Sequence, residues 1–146
     1  MIKIEILKEL SAGDLDDINR MLPSLTELYD GRTVNEQAIR KAIASPLHEQ
    51  FVARDESGRI VGMANLTEVI SIYYGSIAYL EELFVAADVA QRGIGSAIWE
   101  EMLTWCRQRG IKRMEFTCRP ERVAAHNFYL KHGCKVRNTD AFRLDI

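Results

Sequence analysis

Residues 83–98 read LFVAADVAQRGIGSAI, and the rest of the chain is best understood from this stretch outward. Three apolar residues come first, a short loop follows, and Gly93 and Gly95 stand one residue apart before an amphipathic segment. This order predicts a strand, a glycine loop and a helix over residues 94–108. The first N–H groups of a helix have no partner within it and carry partial positive charge, so they bind phosphate well. Arg92 adds a cation suited to the same ligand.

The two glycines alone leave a structural turn open as the alternative, because glycine also serves tight turns and close packing. The loop is not a P-loop, since no Gly-Lys-Ser or Gly-Lys-Thr follows it. It is not the dinucleotide fingerprint either, because Ile98 stands where the third small residue is required.

The composition is that of an ordinary globular protein, with 146 residues, 47% of them hydrophobic and 27% charged. This length predicts a single domain over residues 1–146. A net charge of -2 argues against a broad nucleic-acid surface. The N-terminal MIKIEILKEL alternates and carries charge, so it predicts neither a signal peptide nor a membrane span.

The cysteines and histidines predict reduced thiols and no metal site. Cys106, Cys118 and Cys134 are odd in number and form no Cys-x-x-Cys pair, which favours a cytoplasmic protein. His48, His126 and His132 show no metal-ligand spacing with one another or with the cysteines.

The predicted elements before the glycine loop are one strand, two helices and three antiparallel strands. Ser11-x-x-Asp14 starts the first helix, and Pro23 kinks it or breaks it into two short helices. Thr33-x-x-Glu36 is a capping box for the second helix. The strands cover residues 51–54, 59–70 and 77–85, with a hairpin turn at residues 55–58.

The elements after the loop helix are a strand, a helix and two short strands. The strand covers residues 114–118, and Pro120 is suited to the first turn of a helix that Gly133 ends. Residues 134–137 and 142–146 are the last strands, the second alternating Phe142, Leu144 and Ile146. The crossover helix makes strand 114–118 parallel to strand 77–85. The fold class is therefore α/β (α+β), a mixed, mostly antiparallel central sheet with helices on both faces.

Three segments together resemble the GCN5-related N-acetyltransferase (GNAT) superfamily, and the resemblance covers nearly the whole chain. LEELFVAADVAQRGIGSAIWEEML is similar to the family's acetyl-CoA motif, RPERVAAHNFYLKHGC to its Arg-x-x-Ala-x-x-Phe-Tyr-x-x-x-Gly helix, and RNTDAFRL to a closing strand pair in one branch. Two positions depart from the pattern: the family usually has Arg or Gln where this chain has Ala90, and often glycine where it has Gln91.

The resemblance implies acetyl-CoA as co-substrate and assigns its contacts. The pantetheine arm lies in a gap between two parallel strands, paired to the backbone of residues 83–85, with the Val85 N–H as oxyanion donor. The backbone of the loop and helix start holds the pyrophosphate. The implied cofactor-binding residues are Leu83, Phe84, Val85, Gln91, Arg92, Gly93, Ile94, Gly95, Ser96, Ala97, His126 and Asn127.

The candidate catalytic residues are Tyr129, Glu81 and Glu82. Tyr129 matches the family tyrosine that faces the cofactor sulfur, and a phenol with a pKa near 10 can protonate a departing thiolate. From the residues alone, a core tyrosine is the competing interpretation. Glu81 and Glu82 interrupt an apolar strand, and alternation sends them to opposite faces. Burial would raise the pKa of one and make it the base; Glu81 is narrowly favoured over Glu82. His126 as base and an acetyl-cysteine on Cys118 are lesser alternatives.

The predicted function is acetyl transfer from acetyl-CoA to a primary amine by direct attack in a ternary complex. The alternative is a non-catalytic domain that senses acyl-CoA, and a generic phosphate-ligand domain is a third, weaker interpretation. The acceptor stays open among a small polyamine, an aminoglycoside-like compound, an amino acid and a peptide N-terminus. No nucleic acid or membrane partner is expected, and a homodimer is implied only because the family often forms dimers.

Overall fold

A computed structural model describes residues 1–146 of the chain. Its helices and strands follow the hydrophobic patterns of the sequence. Strands form where apolar residues alternate or run continuously, and helices where they recur every three to four residues. The elements are β1 (Lys3–Ile6), α1 (Ala12–Met21), α2 (Glu36–Ala44), β2 (His48–Arg54), β3 (Ile60–Ser71), β4 (Gly75–Val85), α3 (Ile94–Gln108), β5 (Met114–Glu115) and α4 (Val123–Lys131), with 3-10 turns at Leu22–Ser24 and Ala87–Val89.

The five strands form one sheet in the order β1-β2-β3-β4-β5. The first four pair antiparallel with their neighbours, and β5 runs parallel to β4. The crossover through α3 requires this parallel pairing. The predicted mixed, mostly antiparallel sheet is therefore confirmed.

Helices cover both faces of the sheet. On one face, Val52, Met63 and Phe84 lie opposite one another on adjacent strands and join a buried cluster with Ile18 of α1 and Ile39 of α2. On the other face, α3 packs against the sheet. There the Phe51 and Trp105 rings meet edge to face with centroids 6.5 Å apart, and the Ile94 and Ile98 side chains lie over Gly62. Both faces of the sheet are apolar, and the helices that pack on them remove these apolar side chains from water.

The start of α1 is the capping box predicted for it. The Ser11 side chain accepts from the Asp14 N–H at 3.1 Å, and the Asp14 carboxylate accepts from the Ser11 N–H at 3.0 Å. Asp14 also meets Arg54 of β2 at 2.7 Å. Burial raises the pKa of Asp14, but the hydrogen bonds from Arg54 and Ser11 outweigh it and hold that pKa below its usual range. The cap thus fixes the helix to the sheet.

The N-cap of the second helix lies two residues after Thr33, the cap that the sequence predicted. The N-cap is Asn35, whose side chain accepts from the Ala38 N–H at 3.0 Å. The N–H of Val34 donates instead to the Asn19 side chain at 2.7 Å. This long-range bond keeps Val34 outside the helix. A local sequence pattern does not predict a bond between distant residues.

The break expected at Pro23 is confirmed. α1 ends at Met21, and the chain continues as the single 3-10 turn Leu22–Ser24, with Pro23 near its start. Proline lacks an N–H and crowds the preceding turn, so the helix cannot continue through it.

The C-terminal strands were predicted wrongly. Residues 134–137 and 142–146 form no strand, and β5 is Met114–Glu115 rather than residues 114–118. Phe142 and Leu144 are 94% and 84% exposed. Alternation records only a local preference, whereas a strand exists only when a neighbour supplies its hydrogen bonds.

The chain divides into two units, Met1–Glu115 and Phe116–Ile146. The first holds the whole sheet with α1, α2 and α3; the second holds α4 and the C-terminal segment. Pro120 lies in the turn before α4 rather than in its first turn, because the N-cap is Arg122. Gly133, with φ 87°, follows the C-cap His132 and ends the helix as predicted.

Candidate active site

One edge of β4 is only partly paired. β5 lies beside Ala78 and Tyr79, so residues 80–85 have no strand on that side. On the other side, the Ala86 N–H donates to the Val61 carbonyl at 2.8 Å. Because N–H groups point alternately to the two sides of an antiparallel strand, the N–H groups of Val85 and Leu83 point toward the open edge. An extended ligand can add there as a further strand.

A β-bulge at Glu81 interrupts β4. Asn65 of β3 lies opposite Glu82, and the next residue, Leu66, lies opposite Leu80, so Glu81 is the extra residue. Opposed residues share a face and neighbouring residues do not. Glu82 and Leu80 therefore lie on opposite faces although they are two residues apart. The simple alternation on which the two glutamates were assigned to faces does not hold through the bulge.

Glu82 ends a polar row that crosses three strands. Gln50, Asn65 and Glu82 lie opposite one another on β2, β3 and β4, and they share the face that α1 and α2 cover. The Gln50 amide nitrogen donates to the Asn65 side-chain oxygen at 3.0 Å, and Gln50 is 1% exposed. Asn65 in turn lies opposite Glu82, and a side-chain interaction with Asn65 lowers the pKa of that carboxyl group. The row therefore gives Glu82 a polar neighbour on this face of the sheet.

The environment of Glu82 favours its neutral form. Burial raises the pKa of Glu82, the charge of Glu81 raises it further, and the hydrogen bond from Asn65 partly opposes both. A carboxylate with a raised pKa is a stronger base than an ordinary one. Glu81, by contrast, is exposed on the bulge. The sequence favoured Glu81 narrowly over Glu82, and which of the two acts as the base stays a prediction.

The loop after β4 ends in the start of α3. Gln91 has φ 65° and is the one non-glycine residue with a positive φ, and Gly93 follows at φ 81° as the N-cap of α3. The first helical hydrogen bond runs from the Ala97 N–H to the Gly93 carbonyl at 3.0 Å. The earlier N–H groups, of Ile94 and Gly95, consequently point out of the helix end. This arrangement fits the phosphate-binding role predicted for it.

The side chain of Arg92, beside this helix end, is exposed, as is that of Ala97. Leu83, Val85 and Ser96 are half-buried, and Phe84 is buried in the cluster beneath α1 and α2. The Phe84 side chain thus lies away from the open edge, and by the same alternation its N–H points toward β3, so Phe84 offers no main-chain donor at that edge.

Tyr129, His126 and Asn127 lie on α4, in the second unit. The Tyr129 ring packs against Phe116 with centroids 4.4 Å apart and against Phe128 at 5.5 Å. Burial raises the pKa of Tyr129 to about 12, with a further contribution from Cys118. The phenol therefore keeps its proton throughout the neutral range. His126 Nε2 lies 3.1 Å from the Arg119 carbonyl, to which it donates, and Asn127 is exposed.

The sequence interpretation missed Gln50, Asn65 and Gly62. The first two are polar residues inside strongly apolar strands, and that contrast was the available signal. Gly62 lies opposite Val85. A Cβ at Gly62 would lie 3.0 Å from Ile98 Cδ1 and 3.1 Å from Ile94 Cγ2, so glycine lets α3 approach the sheet closely. No local pattern marks this contact.

Three further observations bear on the class of site. All three cysteines are free thiols, and burial raises the pKa of Cys106 to about 11, which makes it a poor nucleophile. No group of three or more His, Cys, Asp or Glu side chains is arranged to hold a metal ion. None of the helices has the length and apolar character needed to cross a bilayer.

The family model described as "Acetyltransferase (GNAT) family" matches residues 17–134. This chain belongs to the GNAT family. It is therefore an acyltransferase, and the acetyltransferase prediction is confirmed at that level. Members of the GNAT family use acetyl-CoA as acetyl donor.

Individual relatives agree with this assignment. An aminoalkylphosphonate N-acetyltransferase of Salmonella typhimurium is 28% identical over 137 residues, which cover 87% of this chain and 84% of the relative. A structure described as a transcriptional regulator from Bacillus halodurans has a TM-score of 0.84 at 23% identity, with 100% of both chains covered. An aminoglycoside antibiotic 6'-N-acetyltransferase from Acinetobacter baumannii has a TM-score of 0.77 at 16% identity, covering 100% of this chain and 99% of that one. Both structures share the fold of this GNAT acetyltransferase.

Proposed function

We propose that this GNAT acetyltransferase transfers the acetyl group of acetyl-CoA directly to a primary amine in a ternary complex. One observation carries the proposal: the unpaired edge of β4, residues 80–85, is followed after the loop of residues 86–92 by the helix start capped by Gly93. The edge offers main-chain N–H groups to an extended amide-bearing arm, and the helix start offers them to a pyrophosphate. Acetyl-CoA has both parts, in that order.

The residues present fit acetyl-CoA. Leu83 and Val85 supply the main-chain groups for the pantetheine arm, and the Val85 N–H serves as the donor to the thioester oxygen. The backbone of residues 91–97 holds the pyrophosphate, with Arg92 exposed beside it. His126 and Asn127 are proposed cofactor contacts on the strength of the family motif alone.

Glu82 is the proposed base. An amine in water is mostly an ammonium ion, and it must lose one proton before its nitrogen can attack the thioester carbonyl. Glu82 takes that proton, directly or through a water. The polar row, in which Gln50 is buried and Asn65 and Glu82 are half-buried, and the raised pKa of Glu82 support Glu82 over the exposed Glu81. The new C–N bond forms as the C–S bond breaks, so the amine loses its second proton as the amide forms.

Tyr129 is the proposed acid. The thiolate of CoA leaves with the electron pair of the C–S bond, and a proton from the Tyr129 hydroxyl neutralises it. The second proton of the amine restores the phenol through solvent. A phenol with a pKa of about 12 is protonated at every working pH, which supports this role. The family motif, rather than any measured contact, assigns Tyr129 to the sulfur.

The first experiment is calorimetric titration of the purified chain with acetyl-CoA, CoA and ATP. The expected result is that both CoA species bind at least 100-fold more tightly than ATP, since ATP has the phosphates but lacks the arm that pairs with β4. If ATP bound as tightly as CoA, the site would recognise only phosphate groups and not the pantetheine arm. No binding of either CoA species would refute the proposal.

A further inference from the structure

A cavity lies within the first unit, between the sheet and the helices α1 and α2, and its volume is about 220 Å³. Its walls are mainly aliphatic: Leu22, Leu25, Val34 and Ala42 from the helical side, with Met63 and Phe84 from the sheet. The polar row of Gln50, Asn65 and Glu82 forms one patch of its lining. The cavity is therefore apolar with a single carboxylate.

No cationic side chain lines this cavity. The two arginines of these helices are engaged elsewhere. Arg20 donates to the Ile60 carbonyl at 3.0 Å and lies near Asp17 and Asp88, and Arg40 pairs with Glu36 at 2.8 Å. An anionic group in the cavity would lose its hydration without gaining a counter-charge, which is strongly unfavourable.

The lining also disfavours polycations and polyhydroxylated amines. One carboxylate can neutralise one ammonium, so a second ammonium would face aliphatic walls. Sugar hydroxyls would likewise find few partners, since the remaining polar groups in the lining, Asn35, Gln50 and Asn65, are three amides, two of which already bond each other.

We infer that this cavity binds the acetyl acceptor, and that the acceptor is a primary amine with one nitrogen and an uncharged alkyl or arylalkyl body. The nitrogen meets Glu82 and the apolar body lies against the α1 and α2 side chains. A cavity of ~150 Å³ holds benzene, so this one holds a body of roughly nine non-hydrogen atoms. This inference rests on the proposed function, because it names the acceptor of the same reaction.

The test compares acceptors at saturating acetyl-CoA, with CoA thiol release as the readout. Phenethylamine and isopentylamine have the proposed chemistry; 2-aminoethylphosphonate adds an anion, and spermidine adds two cations. We expect kcat/KM for the two apolar amines to exceed that for the phosphonate and for spermidine at least tenfold. Equal or higher values for the charged amines would overturn the inference, and so would no release above the amine-free rate with the apolar amines.

A pair of variants tests the location. Ala42→Leu puts three more carbons into the cavity, and Ala44→Leu puts the same group on an exposed position of the same helix. Ala42→Leu should raise KM for phenethylamine at least tenfold and leave acetyl-CoA binding unchanged, while Ala44→Leu changes neither. Equal KM values for the two variants would overturn the location.

Calorimetry with acetyl-CoA separates the two possible failures. If acetyl-CoA binds and the charged amines are the better acceptors, the inference fails and the proposed function stands. If acetyl-CoA does not bind, the proposed function fails and the inference fails with it.

Discussion

At the residue scale, the most informative contrast lies between the neighbouring glutamates Glu81 and Glu82. Glu81 is the extra residue of the bulge and is exposed, whereas Glu82, the next residue, lies opposite Asn65 and lines a mainly apolar cavity. Glu82 is half-buried, and its partial desolvation disfavours folding at neutral pH because it opposes the charged form of the carboxylate. Glu82 is the one carboxylate in a mainly apolar cavity lining, which supports a chemical use for it.

Glu82→Gln is expected to lower kcat by about 10²–10⁴, the usual contribution of a general base. It should not lower Tm, because glutamine can still bond Asn65 and removes a charge from a poor environment. Glu81→Gln should change kcat less than about threefold, since that side chain is exposed. The reverse pattern of kcat losses would identify Glu81 as the base.

The variant Glu82→Gln should also change the pH dependence of kcat/KM. A base must be deprotonated to act, so kcat/KM should rise with pH through the raised pKa of Glu82, and this limb should vanish in Glu82→Gln. The stability of the folded chain should change with pH in the opposite direction to kcat/KM. Because the folded-state pKa is raised, stability is full below the pKa of the unfolded chain and falls as the pH rises through the folded pKa. Thermal melts of both proteins across that window measure the difference.

Tyr129→Phe removes the proposed acid while keeping the ring that packs against Phe116 and Phe128. Turnover should fall at least tenfold, and the Kd of acetyl-CoA should change less than about threefold, because the hydroxyl acts on the leaving group rather than on binding. Stopped assays measure the turnover, and calorimetry measures the Kd of acetyl-CoA. Unchanged turnover would exclude Tyr129 as the acid.

Gln91 carries backbone strain. A φ of 65° costs a residue with a side chain about 1 kcal/mol or more, and glycine removes that cost. Gln91→Gly should therefore leave the free energy of unfolding unchanged or raise it by up to ~1 kcal/mol. Ala90 has φ -59°, where no strain exists, so Ala90→Gly should lower the free energy of unfolding by about 0.4–1 kcal/mol. Chemical denaturation compares them, and equal losses in both variants would argue against strain at Gln91.

At the element scale, the loop helix α3 is held by a close approach to β3. Gly62 supplies the space, and the facing atoms Ile98 Cδ1 and Ile94 Cγ2 lie within 3.0 and 3.1 Å of where a Cβ would be. Both isoleucines are buried, so they have little room to move. Because Gly62 also lies opposite Val85, the same contact supports the unpaired edge of β4.

Gly62→Ala should lower the free energy of unfolding by about 1–3 kcal/mol through overpacking. Adding Ile98→Val removes the Cδ1 atom nearest the new methyl, so the double variant should be more stable than the sum of the two single losses predicts. A double-mutant cycle by urea denaturation measures this coupling. Strict additivity would mean that the helix does not approach the sheet as closely as the structure indicates.

At the scale of the whole molecule, binding and stability are linked. A ligand that binds only the folded chain adds ~2.7 kcal/mol at 100 times its Kd, which corresponds to roughly 5–10 °C in Tm for a chain of this size. Acetyl-CoA and CoA should produce this shift, and ATP at the same concentration should produce much less. Scanning calorimetry tests it; equal shifts with ATP would show that the phosphates alone are recognised.

The sequence by itself determined what depends on neighbouring residues. The capping box at Ser11, the break at Pro23, the loop helix from Ile94 to Gln108 and the order of the first four strands follow from local patterns, and all are present. The family followed from motifs of the same local kind, at residues 81–143. Side-chain spacing and backbone preference act over a few residues, so a sequence records them directly.

Only the tertiary structure decided what depends on distant partners. The alternation of Phe142, Leu144 and Ile146 formed no strand, because a strand requires a neighbour to hydrogen-bond with it. The bulge at Glu81 set the direction of Glu82, since register is a property of two strands rather than one. The cavity over Gln50, Asn65 and Glu82 is formed by segments more than sixty residues apart. Its chemistry follows from burial, which arises only when those segments pack together.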